Sequence, residues 1–252
     1  MSGAGLQVGV TVPEAALLSG AVARIAALSA ELGGSWFDAA SHGDDPAVWP
    51  DRCAAQRQAD AVSPEPEGQF QTVGDRAALL LRAGRNCAYR VRDVVRADSW
   101  TVACIWHPAP RDEDTRSLFA LRGSGRSNYV YLSQDQELTT TLRDNAGAAI
   151  AALPGAGDGW QAVMASQSGG ELRLWRPADD AFATAAGAGD FAPKSDLLIG
   201  ARSHRQGMPK TLGSAAIGGV LLWPGLDVLS APPGSTGHRL RDAFASFCLW
   251  EL

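Results

Sequence analysis

The chain has 252 residues, which suits one large all-β or α/β domain, or a domain with a short appendage. With 46% hydrophobic and 19% charged residues it can build a sizeable core, which excludes wholesale disorder. The formal net charge of −5, with lysine only at Lys194 and Lys210, excludes a broad basic footprint for nucleic acid and a polybasic membrane patch.

The first ten residues carry neither a basic segment nor a long apolar stretch, so no secretory leader is expected and synthesis in the cytoplasm is. No apolar run approaches the roughly 18 residues of a membrane span, so no membrane insertion is expected. Thr11-Val12-Pro13-Glu14 reads as a helix start, with proline and an acid in the first turn. Apolar residues then recur at Leu18, Val22, Ile25 and Leu32, with Ser29 between, in alternating steps of four and three. Gly33-Gly34 ends the helix. Two heptads are too few for a secure coiled coil. The helix therefore either packs on the main domain or serves docking. We take residues 1–34 as an N-terminal docking or oligomerisation arm with contacts at Pro13, Leu17, Leu18, Val22, Ile25, Leu28 and Leu32, ahead of a domain over residues 35–252.

Residues 36–74 are turn-rich and read as irregular. Strand-like runs follow at 77–82, 88–92, 99–106, 117–122, 129–133, 138–143, 160–166, 171–176, 197–200, 217–223 and 243–250, with a turn of helix near 237–243 at most. Residues 99–106 (SWTVACIW) are apolar on both parities, as for a central strand. In 171–176 (ELRLWR), Leu172 and Leu174 share one face, and Arg173 and Trp175 the other. Ten to twelve short strands, without βαβ alternation and with Gly and Pro making one residue in six, predict an all-β sandwich or barrel. The four cysteines lack metal-ligand spacing and are expected to be unpaired thiols. Eight tryptophans mostly read as core, with Trp100, Trp106, Trp160 and Trp250 the foremost, leaving Trp175 as a candidate exposed platform.

The order of these segments resembles a family. SWTVACIWHP, the meander SLFALRGSGRSNYVYLSQDQELTTTLRDN, the hairpin GWQAVMASQSGGELRLWRPADD, then DLLIGAR, GSAAIGGVLLWPG and HRLRDAFASFCLW are similar to the successive strands of concanavalin A-like, laminin G-like lectin domains. The resemblance covers roughly residues 36–252 and lies in the order of elements more than in any one motif. It implies a concanavalin A-like jelly-roll β-sandwich with a short N-terminal helix or arm. Similar domains occur in spike, fibre and decoration modules of phage and phage-like particles, including gene transfer agents. The resemblance therefore implies a virion-surface position, with host surface polysaccharide, sister subunits and a particle component as partners.

Catalysis is not expected. The chain has no G-x-S-x-G, H-E-x-x-H or P-loop motif. Glucanases on this fold place carboxylates at alternate positions of one strand, as retaining hydrolysis requires. Here Glu65-Pro66-Glu67 is interrupted by proline, and Asp135-Gln136-Glu137 begins at a turn. Glycoside hydrolysis stays open as an alternative, as does a purely structural decoration role. No cofactor is expected. Calcium needs six to eight oxygens from several loops, and Asp44-Asp45, Asp112-Glu113-Asp114 and Asp179-Asp180 are only short acidic clusters.

Carbohydrate recognition needs aromatic faces beside amide, guanidinium and carboxylate groups. One candidate group is Arg126, Asn128, Tyr129, Asp144 and Asn145. A second is Arg202, His204, Arg205 and Lys210, whose charge suits an anionic polysaccharide. Trp175 is the third candidate.

Overall fold

The structure is a computed structural model that describes residues 14–53, 57–95, 99–108, 115–122, 129–145, 149–155, 157–189, 195–202 and 211–252. Among these residues sixteen strands form two eight-stranded antiparallel sheets. In chain order they are β1 (Ser35–Asp38), β2 (Val48–Pro50), β3 (Gln58–Ala61), β4 (Gln69–Val73), β5 (Arg76–Leu81), β6 (Tyr89–Val95), β7 (Trp100–Pro108) and β8 (Thr115–Arg122). Then come β9 (Tyr129–Asp135), β10 (Thr140–Asp144), β11 (Ile150–Leu153), β12 (Gln161–Ser168), β13 (Glu171–Arg176), β14 (Ala181–Ala186), β15 (Ser195–Ile199) and β16 (Ala215–Pro224). The first sheet runs β14-β13-β12-β7-β16-β5-β4, with β1 also on β16; the second runs β11-β10-β9-β8-β15-β6-β3-β2. This is the all-β, concanavalin A-like sandwich that the sequence predicts.

Helices α1 (Glu14–Glu31) and α2 (Thr236–Glu251) complete the molecule. They pack together over the outer face of the first sheet, giving three layers. That extra layer explains the apolar pattern of β7. Trp100, Val102, Cys104 and Trp106 point between the sheets, while Ala103 and Ile105 point under the helices. Both faces are dry, so both parities are apolar. In β13 the alternation holds as predicted, with Leu172 and Leu174 in the inter-sheet core and Trp175 on the helix side.

Tryptophan fills the core and brings polar partners with it. The Trp100 indole donates to Gln167 Oε1, and the Trp106 indole to Gln134 Oε1, each at 3.2 Å. Gln134 in turn donates to Gln161 Oε1 at 2.7 Å, so a glutamine ladder satisfies buried indoles. Trp49, Trp100, Trp106 and Trp223 are fully buried. Trp160 is only half-buried, and the Trp250 side chain lies outside the described residues. None of the four cysteines forms a disulfide, and all four are buried.

Three expectations change. Residues 36–74 hold β1 to β4 rather than irregular chain. Strands of three to five residues, polar on much of their surface, leave too little periodicity to read. Residues 243–250 are helix, not a closing strand. Ser235 caps α2, its Oγ accepting from the His238 N–H at 3.2 Å. Leu240, Ala243, Phe244, Phe247 and Cys248 then recur at helical spacing and are all buried.

The third correction concerns the arm. Ile25 is 1% exposed and Leu28 7%, and Val22 and Leu32 pack beside them against α2 and the first sheet. These side chains fill the chain's own core, because the outer face of β7, β12 and β16 is apolar and needs a cover. Ile25 and Leu28 are therefore not available as a docking surface, while Val22 and Leu32 stay half-buried. Pro13 lies outside the described residues, as do the side chains of Leu17 and Leu18. The end of α1 is a Schellman turn. Gly33 has φ +66°, its N–H bonds Ala30 O at 3.1 Å, and the Gly34 N–H bonds Ser29 O at 2.7 Å. Glu31 Oε1 then accepts from Thr236 Oγ at 2.7 Å, joining the two helices.

Candidate functional site

With the first sheet covered by helices, the outer face of the second sheet is the other broad face of the sandwich, and Ala120 and Leu198 at its centre are fully buried. Strand parity decides what stands there. Val130 and Leu132 of β9 point into the core, so Tyr129 and Tyr131 point outward. Across the ladder Tyr131 pairs with Arg143 on one side and Ala120 on the other, and Tyr129 pairs with Arg122. Arg143 in turn pairs with Ile150 of β11, which is 47% exposed. Tyr131, Ala120 and Leu198 make a small separate apolar cluster on this face, with Tyr129 against it.

The tyrosine rings lie 5.6 Å apart, tilted by 36°. The Arg202 guanidinium stacks over Tyr131 at 4.0 Å from its centre, and Arg202 Nε donates to Ser117 Oγ at 2.6 Å. Burial pushes the pKa of Arg202 down; the two tyrosines oppose this and Arg143 adds to it. An arginine keeps its charge regardless. The result is an oriented cation on an aromatic floor, with exposed Arg143 and Asn145 beside it. Asn145 N–H bonds Tyr129 O at 3.0 Å, which fixes the β10 end against β9.

This arrangement joins residues drawn from both sequence-predicted groups. Tyr129 and Asn145 come from the first and Arg202 from the second, and they share one face. Arg126, Asn128, His204, Arg205 and Lys210 lie outside the described residues. Asp144 does not join the face. It is 2% exposed, and its Oδ2 accepts from the Gly189 N–H at 2.5 Å, so it holds a chain crossing. Two members of the face, Tyr131 and Arg143, were not singled out from sequence. The signal was present, since Tyr131 shares the parity of Tyr129 and Arg143 the parity opposite buried Leu142.

Trp175 stands elsewhere, and its expected exposure is corrected. It is 7% exposed because α2 covers its face. Its indole donates to Asp180 Oδ1 at 2.8 Å. It lines a groove of about 500 Å³ with Phe182, Asp180, Arg241 and Asp242. Phe182, its cross-strand partner, is the exposed ring there at 50%.

Asp135 and Asp179, among the carboxylates considered for catalysis or calcium, are engaged in the fold. Asp135 Oδ1 accepts from the N–H groups of Glu137 and Thr139, closing the β9–β10 turn. Asp179 takes a forked pair of bonds from Arg176, which holds its carboxyl below the usual range. Arg173 binds both Glu171 and Asp227. Asp112, Glu113 and Asp114 lie outside the described residues. Among the described residues no three His, Cys, Asp or Glu side chains gather as a metal site. No described helix is long and apolar enough to cross a membrane.

No model of a known protein family matches the chain, and no curated protein does. Solved structures do. A Trypanosoma rangeli sialidase superposes with a TM-score of 0.56 at 13% identity, over 92% of this chain and 38% of that one. The same enzyme bound to 2,3-difluoro-KDN gives 0.55 at 14%, over 84% and 32%. A botulinum neurotoxin type C structure gives 0.52 at 9%, over 79% and 48%. This chain thus spans about a third of the sialidase chains it matches and about half of the toxin chain. At such identities the likeness is one of fold, and it agrees with the concanavalin A-like sandwich built from the strands above.

Proposed function

We propose that this chain is a non-catalytic carbohydrate-binding module. The observation that carries the reading is the convergence of Tyr129, Tyr131 and Arg202, with exposed Arg143 and Asn145 beside them, on the outer face of the second sheet. Tyr131 is 7% exposed and backs Arg202, so the half-buried Tyr129 ring is the one that takes up the apolar side of a sugar, while the guanidinium and amide groups meet its hydroxyls or carboxylates. Two arginines on one face favour an anionic polysaccharide. Two proteins that this chain resembles in fold meet sugars, a Trypanosoma rangeli sialidase in complex with sialic acid and a botulinum neurotoxin type C whose cell entry depends on interaction with two ganglioside molecules. Binding is favoured over hydrolysis because Asp135, Glu171 and Asp179 already hold turns or arginines.

The order of strand motifs, similar to that of phage-like spike and fibre modules, extends the proposal to the surface of such a particle. Host surface polysaccharide is then the ligand, and sister subunits and a particle component are the partners. Since Ile25 and Leu28 are occupied within the chain, attachment falls to the exposed side of α1 and to the residues before it. The test is a glycan array probed with the full chain and with Tyr129→Ala. Selective retention of acidic glycans, lost in the variant, supports the reading. An array with no bound glycan, or one unchanged by the substitution, overturns it. Sugar release from a bound polysaccharide would favour hydrolysis instead.

A further inference from the structure

On the opposite side of the sandwich, a groove of about 510 Å³ opens between the helices and the first sheet. Its floor is apolar, with Trp36, Ile105 and Phe247. Arg76, at the start of β5, reaches into it. The Arg76 guanidinium lies 5.9 Å from the centre of the Trp160 ring and 5.7 Å from that of Phe247. The residue is half-buried, and its side chain makes no hydrogen bond or ion pair to any described residue. The other arginine of the groove, Arg52, is stacked over Trp36 at 4.9 Å and is bound to Asp38. Asp38 and exposed Asp75 also line the groove.

A guanidinium has five N–H donors, and aromatic faces satisfy its charge without accepting those bonds in full. Partly withdrawing such a group from water without an acceptor is unfavourable. A carboxylate is the acceptor that matches it, binding through two parallel bonds. Asp38 is held by Arg52 and the Ala40 N–H, which leaves the exposed Asp75 carboxylate to accept bonds from hydroxyls. A bare cation, a hydroxyl acceptor and an apolar floor together describe one chemistry, a polyhydroxylated carboxylate. The volume suits a ligand of one or two sugar units.

We propose that this helix–sheet groove binds a sugar acid, with its carboxylate on Arg76. The site is separate from the Tyr129–Arg202 face and stands whether or not that face binds glycan.

The experiment titrates glucuronate into the full chain and follows the indole N–H resonances of Trp36 and Trp160 by NMR. Glucose supplies hydroxyls without charge, and acetate supplies charge without hydroxyls. At millimolar ligand, glucuronate is expected to shift both resonances saturably. Glucose and acetate are expected to bind about tenfold or more weakly, as is glucuronate to Arg76→Gln. Arg85→Gln, which removes an exposed arginine outside both sites, is expected to bind glucuronate as the unaltered chain does. No shift with glucuronate overturns the proposal even if Arg76→Gln fails to fold. Equal response to glucose, or an unchanged affinity in a folded Arg76→Gln, overturns it too.

Discussion

The Arg202 guanidinium lies over Tyr131, 4.0 Å from the ring centre, and its Nε donates to Ser117 Oγ. Three elements meet in that contact, since Tyr131 belongs to β9, Ser117 to β8, and Arg202 follows β15. The charge is therefore aimed by the sheet rather than by a loop. Arg202→Lys keeps the charge but loses the planar fork and the stack. It is expected to weaken retention of an anionic polysaccharide about tenfold, with the melting temperature little changed. Affinity electrophoresis in gels containing the polysaccharide reads this directly. An unchanged mobility would mean that charge alone suffices.

Ile25 tests the reassignment of the arm. Its side chain is buried under α2, beside Leu28 and Phe247. Ile25→Ala is expected to cost about 2–4 kcal/mol of stability, through lost burial and a cavity. Ala27→Glu, on the exposed side of the same helix, is expected to change stability by less than about 0.5 kcal/mol. Urea unfolding of the two variants separates a packed helix from a free docking arm. Equal midpoints would return Ile25 to the surface.

Gly34 tests how closely α1 is seated. A Cβ built there would lie 2.4 Å from Trp223 Cδ1, 2.6 Å from its Nε1 and 3.0 Å from Leu222 O. Trp223 is fully buried and has no room to withdraw. Gly34→Ala is expected to cost about 2 kcal/mol or more, unlike Gly43→Ala, where a Cβ meets nothing within 4 Å. Thermal unfolding of both variants checks the contrast.

How much of this was legible in the sequence depends on what each residue faces. Residues between the sheets were readable, because strand parity is strict and Leu172, Leu174 and Trp106 obey it. The C-terminal helix was misread because ASFCLW is a short apolar run that fits either period. The longer spacing from Leu240 to Cys248, with a serine cap ahead of it, carries the distinction. That error propagated to Trp175, whose expected exposure assumed that no helix covered its face. The binding face was partly legible. Tyr129, Asn145 and Arg202 are polar or aromatic at strand ends and stood out. Their meeting did not, because the β15–β8 pairing that brings Arg202 beside the tyrosines joins distant stretches of chain.

Alkaline pH is expected to unfold the chain through its buried acids. Burial, reinforced by Asp51, pushes the Cys53 thiol from its ordinary 9.0 up to about 11. Burial likewise pushes the Tyr89 hydroxyl from 10.0 up to about 12, with Cys87 and Asp45 adding to it. The Tyr89 hydroxyl donates to Pro46 O at 2.7 Å, a bond that its phenolate cannot make. Between the ordinary and the raised value, the unfolded chain releases protons that the folded chain retains. The unfolded state then binds fewer protons, so stability falls as pH rises. These groups' full contribution is present below about pH 9 and is lost progressively from pH 9 to 12. Urea midpoints measured across that range should decline, and Tyr89→Phe should flatten the upper part of the decline. Its slope should stay unchanged in the lower part, where Cys53 acts together with Cys104, whose thiol is also pushed up by burial, and Cys53→Ala should flatten that part only partially.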